Sequence, residues 1–314
     1  MIRWPMGAAV ALALMACGPT AWGFGTIDGL GQGSEHRRIT VWALNGAGLE
    51  PETLRQLAGR GGFSFGAVGA PDNPLRGLVD VKAAHCDGGD RFESPAYPQA
   101  GPAARTRLED CRTWISDHME QAVVEAGGLI KDDAPGPCRF GSRRPGPAKC
   151  RTLADLGLAL HAAQDFYAHT NWVDHAAQGQ PSVANPPGLG RTGAAPWLAQ
   201  AARADFPQGL ISGCYDGFPE IFHCGALTAT PRVRHLRLEK DTGPIDPVAH
   251  RVGTGTTPRG RIDGNFERAV DAAVAETQAR WSDFEARIAT RYGPDQAPII
   301  LCRLKSDRPA ACPH

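Results

Sequence analysis

The sequence predicts an all-α protein, a single multi-helix bundle with long ordered loops. Apolar residues recur at helical spacing in the long segments 103–126 and 265–292, and no convincing stretch alternates polar and apolar residues as a half-buried strand would. The central segment 156–175 begins with several leucines and has no proline or glycine from residue 158 onward. These three observations favour helices over sheets, and 314 residues are enough to bury a substantial core.

The N-terminal segment has the pattern of an export signal. Arg3 gives it a positive start, residues 6–16 are mostly apolar, and small residues follow as far as Gly23. Cleavage after Ala21 or after Gly23 would remove this signal peptide (1–23) and leave 24–314 as one domain. The apolar stretch is shorter than the roughly 20 residues that span a bilayer. We therefore expect a secreted or periplasmic protein without a transmembrane segment.

Cysteine usage agrees with export. A lipid anchor on Cys17 is the less favoured alternative, because Met15 fits poorly in the sequence that precedes a lipidated cysteine. Nine cysteines become eight if Cys17 leaves with the signal, and an even number in an exported chain indicates disulfides. Roughly a hundred pairings are possible for eight cysteines. Proximity along the chain favours four pairs: Cys138–Cys150, Cys214–Cys224, Cys302–Cys312 and, by remainder, Cys86–Cys111.

Charge and composition exclude some partners. The chain has 33 basic and 33 acidic residues, so nothing indicates a polyanion-binding surface or an anchor to a membrane surface. Basic and aromatic residues do not interleave, and aromatic residues make up only 7% of the chain. We expect no stable complex with nucleic acid.

Shorter helices and long loops complete the prediction. Ser34 can cap a helix over 34–44, Pro51 can start another, and a short helix is expected around 197–202. A loop of about forty residues inside a compact domain is uncommon unless a function or a ligand orders it. Three segments are rich in glycine and proline and are predicted to be irregular: 59–101, 127–149 and 177–231.

The central helix carries a polar stripe. His161, Asp165 and His169 recur every fourth residue, and four residues turn an α-helix through about 400°, so the three side chains share one face. Two imidazoles and a carboxylate on one face of a helix are typical zinc ligands. The alternative is a polar cluster that hydrogen bonds satisfy inside a helix bundle.

Other histidines and carboxylates are individually weaker signals. His36 falls in the first turn of the helix at 34–44, where a histidine by itself is more often a cap or a surface residue. His235 and Glu239 stand four residues apart and would share a helical face, as an exposed ion pair also would. The irregular segment contains Asp72 in APDNP and His85 in AHCDGGD.

Taken in order, these motifs resemble the zinc-dependent phospholipase C and single-strand-specific nuclease superfamily, in particular its bacterial, heterokaryon-incompatibility-C-like branch. That family has a ligating N-terminal residue, a His that opens the first helix, Asp-x-x-Asn-Pro, a His-x-x-Asp type segment, His-x-x-x-Asp on a central helix, a further His, and His-x-x-x-Glu or Asp. The resemblance covers about residues 22–290. The matching positions are Trp22 or Phe24 at the mature N-terminus, His36, Asp72, His85, His161, Asp165, His169, His235 and Glu239.

The resemblance implies two or three Zn²⁺ ions. One zinc would bind His85, His161 and Asp165, with Asp72 as a further ligand or as a general base. A second would bind His36, the other oxygen of Asp165 and the N-terminal residue, so that Asp165 bridges the pair. A third would bind His169, His235 and Glu239. The spacing from Asp165 is shorter than in the family phospholipases, so His175 is an alternative to His169. Relatives of this branch can carry Asn at the position of Glu239, so Asp241 is an alternative to Glu239.

The implied activity is phosphodiester hydrolysis by in-line attack of a metal-bound hydroxide, with Asp72 and Asp165 as catalytic residues. The chain contains no GxSxG motif, and no cysteine stands out as an activated nucleophile. The low aromatic content favours a phospholipase C acting on phospholipid headgroups over a nuclease, which would stack bases on aromatic side chains. A non-catalytic exported zinc-binding protein is the alternative of a different class.

Overall fold

The structure is a computed structural model that describes residues 23–131, 138–142, 146–199, 204–216, 222–224, 227 and 229–313. Within these residues the protein is largely helical, and the strands are confined to two short antiparallel pairs. The six α-helices in this described part of the chain are α1 (Glu35–Leu44), α2 (Pro51–Ala58), α3 (Lys82–His85), α4 (Gly101–Ala126), α5 (Ala148–His169) and α6 (Asn265–Lys305). The strand pairs are β1 (Asp28–Gly29) with β2 (Gln32–Gly33), and β3 (Ile245–Asp246) with β4 (Arg251–Val252).

Helix α5 lies at the centre of the fold. It packs mainly against α4 and α6, and every residue from 156 to 169 is buried. A helix that is covered on all sides has no solvent-facing stripe, which explains why its polar residues also point into the protein. Gly157 permits one close approach, because a Cβ at this position would lie 2.4 Å from the backbone carbonyl of Ala67.

Helix α5 ends at His169, earlier than the sequence suggested. Thr170 adopts an extended conformation and its hydroxyl donates to the carbonyl of Phe166. The backbone N–H of Asn171 then donates to Ile211, so the chain leaves the helix to join another segment. His175 therefore does not lie on α5, although the sequence has no proline or glycine between these positions.

Helix α6 contains a break at Gly293, directly after the residue at which the predicted helix ends. The predicted segment 265–292 is helical, and its apolar residues Phe266, Phe284 and Ile288 are fully buried. Gly293 leaves the helical region with φ 72°, because the following Pro294 disfavours a helical conformation in the residue before it. The chain resumes a helical conformation after this break, which the prediction had missed.

Three shorter elements differ from their predictions. Ser34 precedes α1 but its side chain makes no capping hydrogen bond. The segment 233–241 forms a single 3-10 turn at His235–Arg237 rather than an α-helix, so its side chains are not arranged by helical periodicity. The predicted helix at 197–202 is a 3-10 turn at Pro196–Leu198, and residues 200–202 lie outside the described residues.

All four expected disulfides are present: Cys86–Cys111, Cys138–Cys150, Cys214–Cys224 and Cys302–Cys312. Such bonds persist in oxidising environments, so this prediction is confirmed and indicates an oxidising compartment. Among the described residues, no helix combines the length and the apolar character needed to cross a bilayer. The signal peptide and Cys17 lie outside the described part of the chain, apart from Gly23.

Candidate metal centre

Helix α5 contributes three side chains to two adjacent buried clusters. His161 and Asp165 belong to the first, and His169, one turn further along, belongs to the second. All three side chains are at most 1% exposed. The helical spacing therefore predicts correctly that they share one face.

The first group, which we call the Asp165 cluster, consists of His36, Asp72, His85, His161 and Asp165. Asp165 Oδ2 lies 3.0 Å from both His85 Nδ1 and His161 Nε2, and these two ring nitrogens are 3.1 Å apart. Asp72 Oδ1 lies 3.8 Å from each of the two nitrogens. The other oxygen of Asp72 accepts a hydrogen bond from Thr26, which fixes the carboxylate. Four donor atoms from three separate segments therefore face one point.

The other oxygen of Asp165 faces a different set of groups. Asp165 Oδ1 lies 3.1 Å from His36 Nε2 and 3.3 Å from the backbone nitrogen of Phe24. Phe24 is fully buried, and a Cβ at Gly23 would lie 2.5 Å from the same carboxylate oxygen. The chain near the predicted mature N-terminus thus lies against Asp165. Trp22, the other predicted N-terminal ligand, lies outside the described residues.

The second group, which we call the Asp241 cluster, consists of Asp87, His169, His235, Glu239 and Asp241. Asp241 lies 3.6 Å from His169 Nε2 through Oδ1 and 3.5 Å from His235 Nε2 through Oδ2. Glu239 lies 3.8 Å from His235 Nε2. Although the predicted helix is absent, the 3-10 turn brings His235, Glu239 and Asp241 together. Both carboxylates are present, so Glu239 and Asp241 are not mutually exclusive.

His175 lies outside both clusters. Its side chain is 42% exposed and pairs with Asp263, whereas His169 is 1% exposed and faces Asp241. The end of α5 at His169 is the reason, because it turns the following residues away from the centre. The alternative assignment of His175 as a ligand is not supported by this geometry.

Hydrogen bonds fix one nitrogen of each histidine in the Asp241 cluster. His169 Nδ1 donates to the carbonyl of His85 at 2.7 Å, and His235 Nδ1 faces Asp87 Oδ1 at 3.0 Å. An imidazole that donates through Nδ1 has its Nε2 lone pair available for a metal. Asp87 was not among the predicted ligands, although it lies in the segment AHCDGGD, two residues after His85. Carboxylates that orient metal-binding histidines in this way are a usual part of metal sites.

Internal hydrogen bonds do not satisfy the two clusters. Buried polar groups in native proteins are normally hydrogen-bonded, and each exception needs an explanation. The alternative of a self-satisfied polar core is therefore the weaker interpretation. The buried atoms without a hydrogen-bond partner among the described residues include His36 Nε2, Asp72 Oδ1, His85 Nε2, His161 Nδ1, His169 Nε2, His235 Nε2 and both oxygens of Asp241.

The electrostatics of the Asp165 cluster favour bound cations. Burial opposes charge on His85, but its hydrogen bond to Asp165 and the charges of Asp72 and Asp165 raise its pKa to about 9. Burial also opposes ionisation of Asp165, yet the surrounding histidines hold the pKa of this carboxyl well below its usual range. For His161 burial dominates, and its pKa is lowered. Without a metal, protons on some of these histidines must balance the buried carboxylates.

The Asp241 cluster has the same electrostatic character. Burial opposes charge on His169 and on His235, but Asp87, joined by Asp165 for His169 and by Asp241 for His235, raises the pKa of both rings. The pKa of Asp87 itself is lowered, because His235 and His169 outweigh its burial. A divalent cation could replace these protons as the counter-charge.

A buried ion pair supports the Asp241 cluster from one side. Asp90, which is fully buried, accepts hydrogen bonds from Arg232 and from the hydroxyl of Tyr97. The same hydroxyl accepts a hydrogen bond of 2.7 Å from the backbone of Val233. This network joins the segment that carries Asp87 to the segment that carries His235.

Removal of Arg232 should destabilise the protein. In Arg232→Met, Asp90 remains buried without its cation, and loss of one partner of a buried ion pair costs about 3–5 kcal/mol. Because the Arg232 side chain is 20% exposed, we expect the lower end, about 3 kcal/mol. Urea unfolding would measure this loss. The double variant Asp90→Asn/Arg232→Met should recover part of it, and an equally unstable double variant would contradict the ion-pair explanation.

A second buried ion pair positions the other side of the Asp241 cluster. Lys240 is fully buried, and its ammonium group lies 2.9 Å from Asp174 and donates to the carbonyl of Thr170. Arg259 donates to the other oxygen of Asp174 at 2.7 Å. Burial lowers the pKa of Lys240 despite the nearby carboxylates. The side chain of Lys240 thus fastens the loop between Glu239 and Asp241 to the end of α5.

A cleft of about 600 Å³ lies between the two strand pairs, and we call it the hairpin cleft. Glu35 and Thr242, which line it, are the chain neighbours of His36 and Asp241, but no member of either cluster is among the described residues that line it. No aromatic side chain occurs among the described residues that line it. These residues are Gly31, Gln32, Gly33, Glu35, Arg38, Thr242, Gly243, Pro244, Ile245, Asp246, Arg251, Val252, Gly253 and Thr256.

Fold and site together define a largely helical, disulfide-bonded protein whose two buried His/carboxylate clusters could each hold metal ions. No family model, no curated protein and no solved structure matches the chain.

Proposed function

We propose that this protein is an exported zinc-dependent phosphodiester hydrolase, most specifically a phospholipase C that acts on phospholipid headgroups. One observation carries the proposal. Imidazole and carboxylate groups from five separate parts of the chain converge on two adjacent buried clusters that share α5, and one ring nitrogen of each histidine has no hydrogen-bond partner among the described residues. The sequence motifs that bring these residues together also have the order found in the zinc phospholipase C and nuclease superfamily.

The donor set and its spacing fit zinc. Zinc binds imidazole nitrogen and carboxylate oxygen at about 2.0–2.2 Å, so the donor atoms of a tetrahedral site lie about 3.3–3.5 Å apart. In the Asp165 cluster the corresponding separations are 3.0, 3.1 and 3.8 Å. In the Asp241 cluster they are 3.5, 3.6 and 3.8 Å. No cysteine among the described residues is available as a metal ligand, because all eight form disulfides.

Each residue has a defined task in this proposal. Asp165 would serve two ions, one through each oxygen, and Asp72 would complete the first site through the oxygen that Thr26 leaves free. His36 and the backbone near Phe24 would complete the second, and the Asp241 cluster would hold the third. Zinc ions at these positions would supply Lewis acidity, which lowers the pKa of a water molecule and neutralises charge on a phosphoryl group.

In this proposal the substrate approaches through the hairpin cleft, whose lining favours a lipid headgroup over a nucleobase. Proteins that bind single-stranded nucleic acid stack bases on aromatic side chains and follow the backbone with a basic groove. The described lining of the cleft has no aromatic residue, and its Arg38 and Arg251 are accompanied by Glu35 and Asp246. A small polar headgroup suits such a mixed surface better than a polyanion does.

The decisive experiment combines metal analysis with two substrates. We expect two or three zinc ions per purified mature chain, and release of a phosphorylated headgroup from phosphatidylcholine vesicles. Treatment with a chelator should abolish this activity, and added Zn²⁺ should restore it. Single-stranded DNA should remain intact under the same conditions.

The alternative outcomes separate the competing functions. Cleavage of DNA without cleavage of lipid would replace the phospholipase with the nuclease and leave the metal centre in place. Stoichiometric zinc without turnover of either substrate would favour the non-catalytic zinc-binding protein. A chain that binds no metal would overturn the proposal as a whole.

A further inference from the structure

Gln164 lies next to Asp165 on α5 and contacts His36, yet no sequence motif singles it out. Its side chain is fully buried, and its Oε1 lies 2.7 Å from His36 Nδ1. We infer that Gln164 is a positioning residue, which holds His36 in the one tautomer that can bind a metal beside Asp165. This inference rests on the proposed zinc centre.

The first step concerns the orientation of the amide. Gln164 Nε2 lies 3.1 Å from the hydroxyl of Thr40 and 3.0 Å from the hydroxyl of Thr277. Each hydroxyl has a single proton, and each donates it to the helix carbonyl four residues earlier, at 2.8 Å and 2.7 Å respectively. Both hydroxyls can therefore only accept from Gln164. The NH₂ group must face the two threonines, and the amide oxygen must face His36.

The second step concerns the imidazole. An amide oxygen is only an acceptor, so His36 Nδ1 carries a proton and donates it to Gln164. In the neutral ring the lone pair is then on Nε2, which lies 3.1 Å from Asp165 Oδ1. A lone pair and a carboxylate oxygen repel each other at this distance unless a cation lies with them. Gln164 thus selects the tautomer that needs a metal ion, or a second proton, at this position.

The third step concerns rigidity. Thr40 lies on α1, Gln164 on α5 and Thr277 on α6, and all three side chains are fully buried. The amide is therefore held by two other helices before it holds His36. His169 and His235 are oriented differently, through a backbone carbonyl and through Asp87. A neutral amide orients His36 without adding a further negative charge beside Asp165.

The test compares Gln164→Met with Gln164→Glu. Methionine has a similar length but neither accepts from His36 nor donates to the threonines, whereas glutamate keeps the acceptor. We expect Gln164→Met to lower the affinity for one Zn²⁺ ion by about 10–100-fold in competition with a chelator at fixed pH, because loss of a residue that orients a metal ligand has effects of this size. Gln164→Glu should lose clearly less affinity than Gln164→Met, because it keeps the acceptor for His36 although it no longer donates to the two threonines.

A spectroscopic readout separates positioning from a loss of stability. In the Co²⁺-substituted protein, the Nδ1–H proton of His36 should give a shifted, slowly exchanging NMR signal that His36→Gln removes. Gln164→Met should lose this signal or speed its exchange, and Gln164→Glu should retain it. Thr152→Val, which deletes another buried hydroxyl on α5 remote from the clusters, controls for loss of a buried polar group and should leave the signal unchanged.

The results distinguish this inference from the proposed function. If the wild type binds no Zn²⁺ or Co²⁺, the metal centre itself is wrong. If the wild type binds metal but Gln164→Met matches it in affinity and keeps the His36 signal, Gln164 has no positioning role. Equal damage by Gln164→Met and Gln164→Glu would also overturn the inference, because the acceptor would then not be what matters. Metal binding without hydrolysis leaves this test fully applicable.

Discussion

In the proposed zinc enzyme, Asp165→Asn should remove at least one zinc ion per chain and lower phosphodiester hydrolysis by roughly 100-fold or more, since loss of an outer-shell partner alone already costs 10–100-fold. The reason is that Asp165 uses both oxygens, one toward His36 and one toward His85 and His161. Asparagine has one oxygen, so it can serve one side only. Metal analysis and initial rates on phosphatidylcholine vesicles would measure the two effects.

Asp155→Asn is the matched control, because it makes the same change ten residues earlier on the same helix. Asp155 also contacts a histidine, with Oδ1 2.8 Å from His118 Nδ1, but lies outside both clusters. It should keep full metal content and activity. Asp165→Glu adds a second test, since it keeps the charge but moves the oxygens by about one bond length and should also lose metal. Wild-type metal content in a folded Asp165→Asn variant would show that Asp165 does not bridge two ions.

The helical part of the fold was predictable because its signals are local. The long helices carry apolar residues at helical spacing, and the cysteines pair with near neighbours in the chain. Boundaries were less predictable where tertiary contacts decide them. Helix α5 ends at His169 because the carbonyl of Thr170 accepts from Lys240 and the N–H of Asn171 donates to Ile211, which no local pattern in that segment indicates.

The sequence predicted which residues form the candidate site better than it predicted the secondary structure that brings them together. Helical periodicity identified His161, Asp165 and His169, and the resemblance added residues that local patterns left ambiguous, such as His36. The prediction for 233–241 had the right residues and the wrong secondary structure, since a 3-10 turn assembles them.

Supporting residues were the ones that sequence reasoning missed. Asp87 and Gln164 touch the histidines only because distant segments meet, so neither has a spacing that could reveal it. Thr26 and Arg232 belong to the same class, because each orients another residue rather than facing the centre. Such contacts depend on the packed fold and not on the periodicity of one helix.

Stability should depend on pH in opposite ways with and without zinc. In the metal-free protein the pKa of His85 is raised from 6.5 to about 9, so its contribution to stability is complete below pH 6.5 and is lost as the pH rises toward 9. The raised pKa values of His36, His169 and His235 act in the same direction. The lowered pKa of His161 acts mainly below pH 6.5, and those of Asp87 and Asp165 matter only in acid.

From pH 6.5 to pH 8 the chelated protein should therefore lose about 1.5 kcal/mol of unfolding free energy from His85 alone. Above pH 8 the partly buried Lys149, whose pKa burial lowers to about 8, acts in the opposite direction, so the narrower window is the cleaner test. The zinc-loaded protein should keep or gain stability over this window, because metal binds the deprotonated rings. Urea unfolding at matched pH values, with and without chelator, would measure both profiles.

Proton release gives an independent measurement of the same linkage. Zinc added to the metal-free protein at pH 7 must displace the protons that the buried carboxylates hold on the histidines, so a pH indicator in weak buffer should report at least one proton per chain. The number released should fall as the starting pH approaches 9, because His85 is then already partly deprotonated. Identical pH profiles with and without zinc, together with no proton release, would mean that metal does not replace protons in these clusters.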